Sequence, residues 1–288
     1  MRIASKWKDY IVLSTGDGEK IEKWGDVILT RPDPQIIWPK YNREIWKTAH
    51  GTYKRSSKGG GEWSYSQNVP SKWKIRYSDL TFWVETMGFK HTGLFPEQAV
   101  NWDYMQDKIR QAQRPVQVLN LFAYTGGATV ACAAAGASVC HVDAAKGMVE
   151  KAKNNLTLSG LKDKPVRFIV DDVVKFVQRE IRRGNTYEGI VMDPPSYGRG
   201  PKGEIWKLED ELYGLVELCS QVLSAKPLFF MLNSYTTGLS ATVMKNILDL
   251  VLSKRFKGSS DAYELGLPVH DSVIILPCGN TACWEERL

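Results

Sequence analysis

The chain keeps two rhythms of hydrophobic and polar positions, and they change over near residue 115. Beyond that point, short runs that are apolar at successive positions alternate with longer segments of helical spacing. The runs Val116–Leu121, Ser138–Val142, Val166–Val170, Gly189–Met192 and Leu228–Leu232 predict strands. Between and after them, Ala128–Ala135, Ala145–Leu158, Val173–Arg183, Leu208–Ser224 and Ala241–Leu252 predict helices, the first three stopped by Gly136, Gly160 and Gly184. Val273–Leu276 predicts a late strand that closes a hairpin. Strands without polar alternation are buried on both faces, so the expected fold class is α/β, a doubly wound and mostly parallel sheet.

Up to about residue 95 the pattern is shorter, alternating and cut by turns. Tyr10–Leu13 and Val27–Leu29 predict strands flanking Gly16-Asp17-Gly18, and Lys74–Tyr77 with Leu80–Val84 predict a hairpin about Ser78-Asp79. Pro32 and Pro34 impose an extended connector. Lys54, Arg55 and Lys58 introduce Gly59-Gly60-Gly61 as a basic, flexible loop. Three parts follow: a small β-rich domain over 1–73, a hairpin and helical lead-in over 74–115, and an α/β domain over 116–288.

Charge sharpens this division. The 288 residues carry a net +6, and residues 1–115 hold 19 Lys/Arg against 13 Asp/Glu, so the whole excess lies there. Eight of the ten tryptophans lie there as well. A basic, aromatic-rich module beside a neutral one suits an enzyme that grips a polyanion, while the plainer reading has the tryptophans filling a β core and the lysines solvated. No apolar run of about 18 residues predicts a membrane span, and Met1–Val12 has no apolar region of a signal peptide. The five cysteines, Cys132, Cys140, Cys219, Cys278 and Cys283, form no CxxC, so reduced thiols in the cytoplasm are expected, without a zinc site.

In a doubly wound sheet the ligand lies at the carboxyl ends of the strands. After the first strand stands Asn120-Leu121-Phe122-Ala123-Tyr124-Thr125-Gly126-Gly127, whose glycines permit a tight turn at a helix N-terminus. Asp143 ends the second strand, 17 residues after Gly126, where such folds place the acid that binds ribose hydroxyls. Asp171-Asp172 follows the third strand and Asp193-Pro194-Pro195-Ser196 the fourth. The loop lacks the spacing G-x-G-x-x-G of a dinucleotide site, and no Walker lysine is present for phosphoryl transfer.

The order NLFAYTGG, VD, VDD and MDPPS resembles the class I S-adenosylmethionine-dependent methyltransferases. More narrowly, the chain is similar over residues 74–288 to the bacterial methyltransferases of 23S, large-subunit, ribosomal RNA, and RYSDLTFWVETMGFKHTGLFPEQ resembles the lead-in of that group. The resemblance implies a Rossmann-like domain binding S-adenosylmethionine. It implies that Phe122, Ala123, Tyr124, Thr125, Gly126 and Gly127 hold the methionine end of the cofactor. Asp143 with Ala144 would bind its ribose, and Asp171, Asp172 and Val173 would bracket the adenine. Gln98 would cap the cofactor. Asp193, which also touches the cofactor, would meet the acceptor together with Pro194, Pro195, Ser196 and Tyr197, the last as a stacking platform for a base. Asp143 and Asp172 have a plainer reading as helix N-caps, and Tyr197 as ordinary loop packing.

A sulfonium methyl is already activated, so alignment of an acceptor lone pair and exclusion of water suffice, and no metal is expected. Methylation at cytosine C5 needs a thiolate that adds to the ring. The loops after the fourth and fifth strands, Asp193-Pro194-Pro195-Ser196-Tyr197 and Asn233-Ser234-Tyr235-Thr236-Thr237-Gly238, hold no cysteine. The expected acceptor is therefore a base nitrogen of ribosomal RNA, with RNA as partner. A protein or small-molecule acceptor, cytosine C5 and a non-catalytic RNA-binding module stay as alternatives.

Overall fold

The computed structural model describes residues 1–56, 60–199 and 205–286. The chain folds as two compact units: Asn101–Leu265 with Met1 and Gly279–Leu288, and Arg2–Val100 with Gly266–Cys278.

The second of these is β-rich. Its strands are β1 (Arg2–Ile3), β2 (Tyr10–Gly16), β3 (Glu19–Trp24), β4 (Val27–Pro32), β5 (Gly51–Arg55), β6 (Gly61–Tyr65), β7 (Trp73–Tyr77) and β8 (Leu80–Val84). Strands β2 to β6 form one sheet in chain order, and β7 and β8 form the expected hairpin, with Ser78 at φ 51° in its turn. Strand β3 was not among the expected elements, because Glu-Lys-Ile-Glu-Lys-Trp puts charge where a half-buried strand usually carries apolar residues. Burial of Glu22 explains it. Its carboxylate accepts two guanidinium bonds from Arg31, at 2.7 and 2.9 Å, and the Tyr10 hydroxyl at 2.6 Å. Burial alone would raise its pKa, but the charges of Arg31 and Lys20 and these hydrogen bonds outweigh that and hold it at about 2. The tryptophans largely pack rather than project. Trp24 is fully buried against Tyr10, Trp7 packs on Tyr77, and Trp73 donates its indole N–H to the Trp24 carbonyl. Lys54 and Arg55 end β5 instead of opening a loop, and Lys58 lies outside the described residues.

The other unit is the expected doubly wound sheet. It contains α1 (Ala99–Gln111), β9 (Gln117–Leu121), α2 (Gly127–Ala134), β10 (Ser138–Asp143), α3 (Lys146–Leu158), β11 (Val166–Val170), α4 (Val173–Arg183), β12 (Gly189–Met192), β13 (Tyr197–Arg199), β14 (Ile205–Lys207), α5 (Leu208–Ser220), β15 (Phe229–Ser234), α6 (Ala241–Leu252), β16 (Gly258–Pro268) and β17 (Ile275–Glu286). Its strands neighbour one another in the order β16-β17-β15-β12-β9-β10-β11, with β15, β12, β9, β10 and β11 parallel and β17 antiparallel to β15. Leu119, Leu121, Ile190, Met192, Phe230 and Leu232 are buried in one core with α4, α5 and α6, as continuous apolar runs require.

Three expectations change. Helix α5 stops at Ser220, not Ser224, because the following backbone pairs with Tyr187, whose N–H donates to Val222 and whose carbonyl accepts from Ser224. The late strand starts at Ile275 and runs to Glu286, whereas Val273 is 99% exposed ahead of it. The ribbon of β13 and β14 is short enough to leave no periodic signal.

Candidate functional site

The sheet order reverses between β9 and β12, the point at which doubly wound folds open a crevice. Register fixes which residues meet there. Leu121 pairs with both Val142 and Met192, Asp143 with Val170, and Met192 with Leu232. Phe122, Asp143, Asp171, Asp193 and Asn233 therefore stand along one carboxyl edge.

The loop after β9 is held in a strained form. Phe122, Tyr124 and Gly126 have φ of 54°, 50° and 84°, and two of these are not glycine. The glycines do more than clear space for a ligand. A Cβ on Gly126 would stand 2.8 Å from Ala152 Cβ on α3, and one on Gly127 would stand 2.6 Å from the Trp102 ring on α1. Bare backbone at both positions lets two helices close on the loop. Beneath it runs a buried chain: Asn120 donates to Thr129 Oγ1 at 2.8 Å, and Thr129 Oγ1 lies 2.9 Å from His141 Nδ1. Burial lowers the His141 pKa to about 3, so the imidazole is neutral. Asn155 donates to the Thr125 carbonyl at 2.9 Å and ties the loop to α3.

Asp143 is half-buried at the end of β10. One carboxylate oxygen accepts the Tyr124 N–H at 2.8 Å and the other the Ala145 N–H at 2.8 Å, so it joins the loop to the start of α3. Ala144 is exposed beside it. Asp172 caps α4, accepting the Lys175 N–H at 2.9 Å, and Val173 is buried in the core. Asp171 accepts an ion pair from Arg179 and the Asp172 N–H. The capping reading thus holds for Asp172 and not for Asp143, since the N-cap of α3 is Ala145. These bonds do not exhaust either group, since a carboxylate offers about four lone-pair sites.

On the other side of the switch point, Asp193 is half-buried, Pro194 buried, and Pro195, Ser196 and Tyr197 exposed, Tyr197 by 50%. Trp206 on β14 was missed from sequence, where it is one aromatic in a three-residue strand, Ile205–Lys207. Its indole N–H donates to the Pro195 carbonyl at 2.7 Å, and its ring lies 6.5 Å from that of Phe122, so one side chain touches both loops. Thr236, in the loop after β15, donates to Ser196 Oγ at 2.6 Å. A fully buried cluster sets the base of that loop. Asn233 Oδ1 accepts from Thr281 at 2.7 Å and from Asn101 at 3.1 Å, and Tyr263 donates to Asn101 at 2.8 Å. Gln98 belongs to the β-rich unit, half-buried at the end of the 3-10 turn Pro96–Gln98.

The cysteines sit in α2, β10, α5 and β17. Burial pushes the Cys132 thiol up to about 12 and the Cys140 thiol to about 11, and raises Cys219 and Cys278 as well. Among the described residues no cluster of three His, Cys, Asp or Glu forms a metal site, and no helix is long and apolar enough to cross a membrane.

Residues 47–220 match the model of a family described as S-adenosylmethionine-dependent methyltransferases. The crystal structure of a SAM-dependent methyltransferase from Agrobacterium tumefaciens superposes with a TM-score of 0.92 at 35% identity, covering 98% of this chain and 91% of that one. Ribosomal RNA large subunit methyltransferase K of Neisseria meningitidis is 26% identical over 184 residues, 63% of this chain and 48% of its own length. Ribosomal RNA large subunit methyltransferase I of an Enterobacter species is 31% identical over 133 residues, 44% of this chain and 32% of its own. The chain thus spans about half or less of the length of these curated relatives.

Proposed function

The chain belongs to the S-adenosylmethionine-dependent methyltransferase family, and we propose that it methylates a base of large-subunit ribosomal RNA at a nitrogen atom, in the cytoplasm. The names of the curated relatives support the RNA class. The observation that supports the nitrogen is that Asp193 and two loops without cysteine stand at the carboxyl edge of the sheet.

The residues present fit the cofactor. The Phe122–Gly127 loop and Asp143 stand at the switch point, and lone pairs remain on the Asp143 carboxylate for two ribose hydroxyls. Asp171, Asp172 and Val173 then border the adenine, with Ala144 at the rim. S-adenosylmethionine bound there supplies a methyl group already activated by its sulfonium. What the chain adds is alignment. Asp193 and the Pro194 carbonyl hold an N–H-bearing base edge-on, so that the nitrogen lone pair points along the bond to be broken. As the nitrogen forms its new bond it becomes acidic, and the Asp193 carboxylate takes its proton. Tyr197, half exposed on its ribbon, stacks against the base, while Trp206, Pro195 and Ser196 keep the two loops in register and water out.

Two outcomes are expected. S-adenosylmethionine raises the melting temperature by mass action and NAD does not, and Asp143→Ala weakens cofactor binding by roughly 1–3 kcal/mol in a calorimetric titration. A shift with NAD alone would refute the site. Replacing all five cysteines by Ala leaves methyl transfer intact in a variant that stays folded, because none lies in the loops after β12 and β15. Should one Cys→Ala change stop turnover without unfolding the protein, addition at cytosine C6 replaces the nitrogen mechanism. Mass spectrometry of ribosomal RNA nucleosides from cells with and without the gene identifies the product directly.

A further inference from the structure

The hairpin of β7 and β8 has two unlike faces. Register pairs Ile75 with Phe82, Tyr77 with Leu80 and Trp73 with Val84 on one of them, and Ile75, Phe82, Val84, Tyr77 and Leu80 are all buried there. The opposite face pairs Lys74 with Trp83 and Arg76 with Thr81. Lys74 and Arg76 are exposed, Trp83 and Thr81 are half-buried, and Lys72 is exposed just before the strand. Two ammonium groups converge on one ring: Lys72 Nζ lies 4.7 Å and Lys74 Nζ 5.1 Å from the Trp83 centroid. Asp9 balances part of the charge, 3.9 Å from the Arg76 guanidinium, and its carboxylate accepts the Arg76 N–H at 2.9 Å.

An ordinary solvated face mixes the signs of its charges so that neighbours attract. Here two cations are gathered over one tryptophan, with a third beside them. A cation over an aromatic face marks a surface electron-rich enough to stack a base, and lysine stems are flexible enough to move from the ring to a phosphate. Resting on the RNA reading above, we infer that this face is a docking surface for a single-stranded segment of the RNA substrate. Trp83 stacks one base, and Lys72, Lys74 and Arg76 contact the flanking phosphates. The complementarity that selects this occupant is the positive charge of the face and the excess of +6 within residues 1–115.

The test measures binding of oligo(U) RNA and of a large-subunit ribosomal RNA transcript by filter retention over a salt series, with methyl transfer to the transcript followed in parallel. Trp83→Ala is expected to weaken RNA binding about tenfold, within the range for loss of one stacked base, and Trp83→Phe to recover most of it. Lys72→Gln with Lys74→Gln should lower the salt slope by about 1.4, at roughly 0.7 per single-strand phosphate. The S-adenosylmethionine-induced thermal shift should stay unchanged in all three. If the wild type binds and methylates the transcript and these variants do so equally well, the face is not the grip, although the RNA reading survives. A fall in melting temperature for Trp83→Ala with unchanged RNA affinity also overturns the proposal, leaving lysine stems that merely cover a tryptophan. A wild type that neither binds nor methylates RNA removes the RNA reading and this inference with it.

Discussion

Asp193→Ala is expected to lower methyl transfer roughly 10³-fold while leaving the affinity for S-adenosylmethionine within about tenfold. Met192 is locked between Leu121 and Leu232 by parallel pairing on both sides, so the residue after it cannot drift. Removal of the carboxylate takes away both the group that orients the acceptor and the one that receives its proton. Asp193→Asn keeps the shape and one hydrogen bond, and should fall between the alanine variant and the wild type. Single-turnover transfer rates beside calorimetric affinities separate these effects. A variant that loses cofactor binding and transfer in equal measure would place Asp193 on the cofactor alone.

The largest effect on stability is expected at Glu22. Its carboxylate is fully buried and holds Arg31, Tyr10 and, at 3.8 Å, Lys20. Glu22→Ala leaves a buried guanidinium without its partner, a change that typically costs about 3–5 kcal/mol. Urea unfolding should show it as a lowered midpoint, and Asp143→Ala should not share it. The pH dependence follows from the direction of the shift. Glu22 has a folded pKa of about 2, below its ordinary value, so its stabilisation is complete above the unfolded pKa and is lost as pH falls through the folded one. The gap between wild type and Glu22→Gln should thus be constant at neutral pH and shrink as acid is added below the ordinary carboxylate range. A gap that stays constant down to pH ~2 would mean that the charge of Glu22 is not what the fold uses.

What the sequence made legible depended on how locally each feature is determined. The runs that became β9, β10, β11, β12 and β15 are largely apolar, and the candidate residues stand at or just after the carboxyl ends of β9 to β12, so strands and candidates could be read together. Glu19–Trp24 was opaque for the opposite reason. Its charges make sense only once Arg31 and Tyr10, distant in sequence, surround Glu22. Trp206 was invisible because its two contacts, Pro195 and Phe122, come from separate loops that only the folded sheet brings together. The paired glycines were recognised as a turn. Their second purpose, admitting Ala152 and Trp102, is a matter of packing that no local pattern records.

The long hairpin of β16 and β17 leaves one unit, contributes Gly266–Cys278 to the other, and returns. There the carbonyl of Gly266 accepts from Ala4, and the N–H of His270 donates to Val12, so residues more than 250 apart in sequence share one small β-structure. During synthesis the first hundred residues emerge long before that segment exists, and they must wait, unfinished, for the intervening sheet to be made. The β-rich unit therefore closes late, although Arg2–Val100, the larger part of it, are made before the intervening sheet. A fragment cut anywhere before residue 266 would lack a part of the unit to which Arg2–Val100 belong.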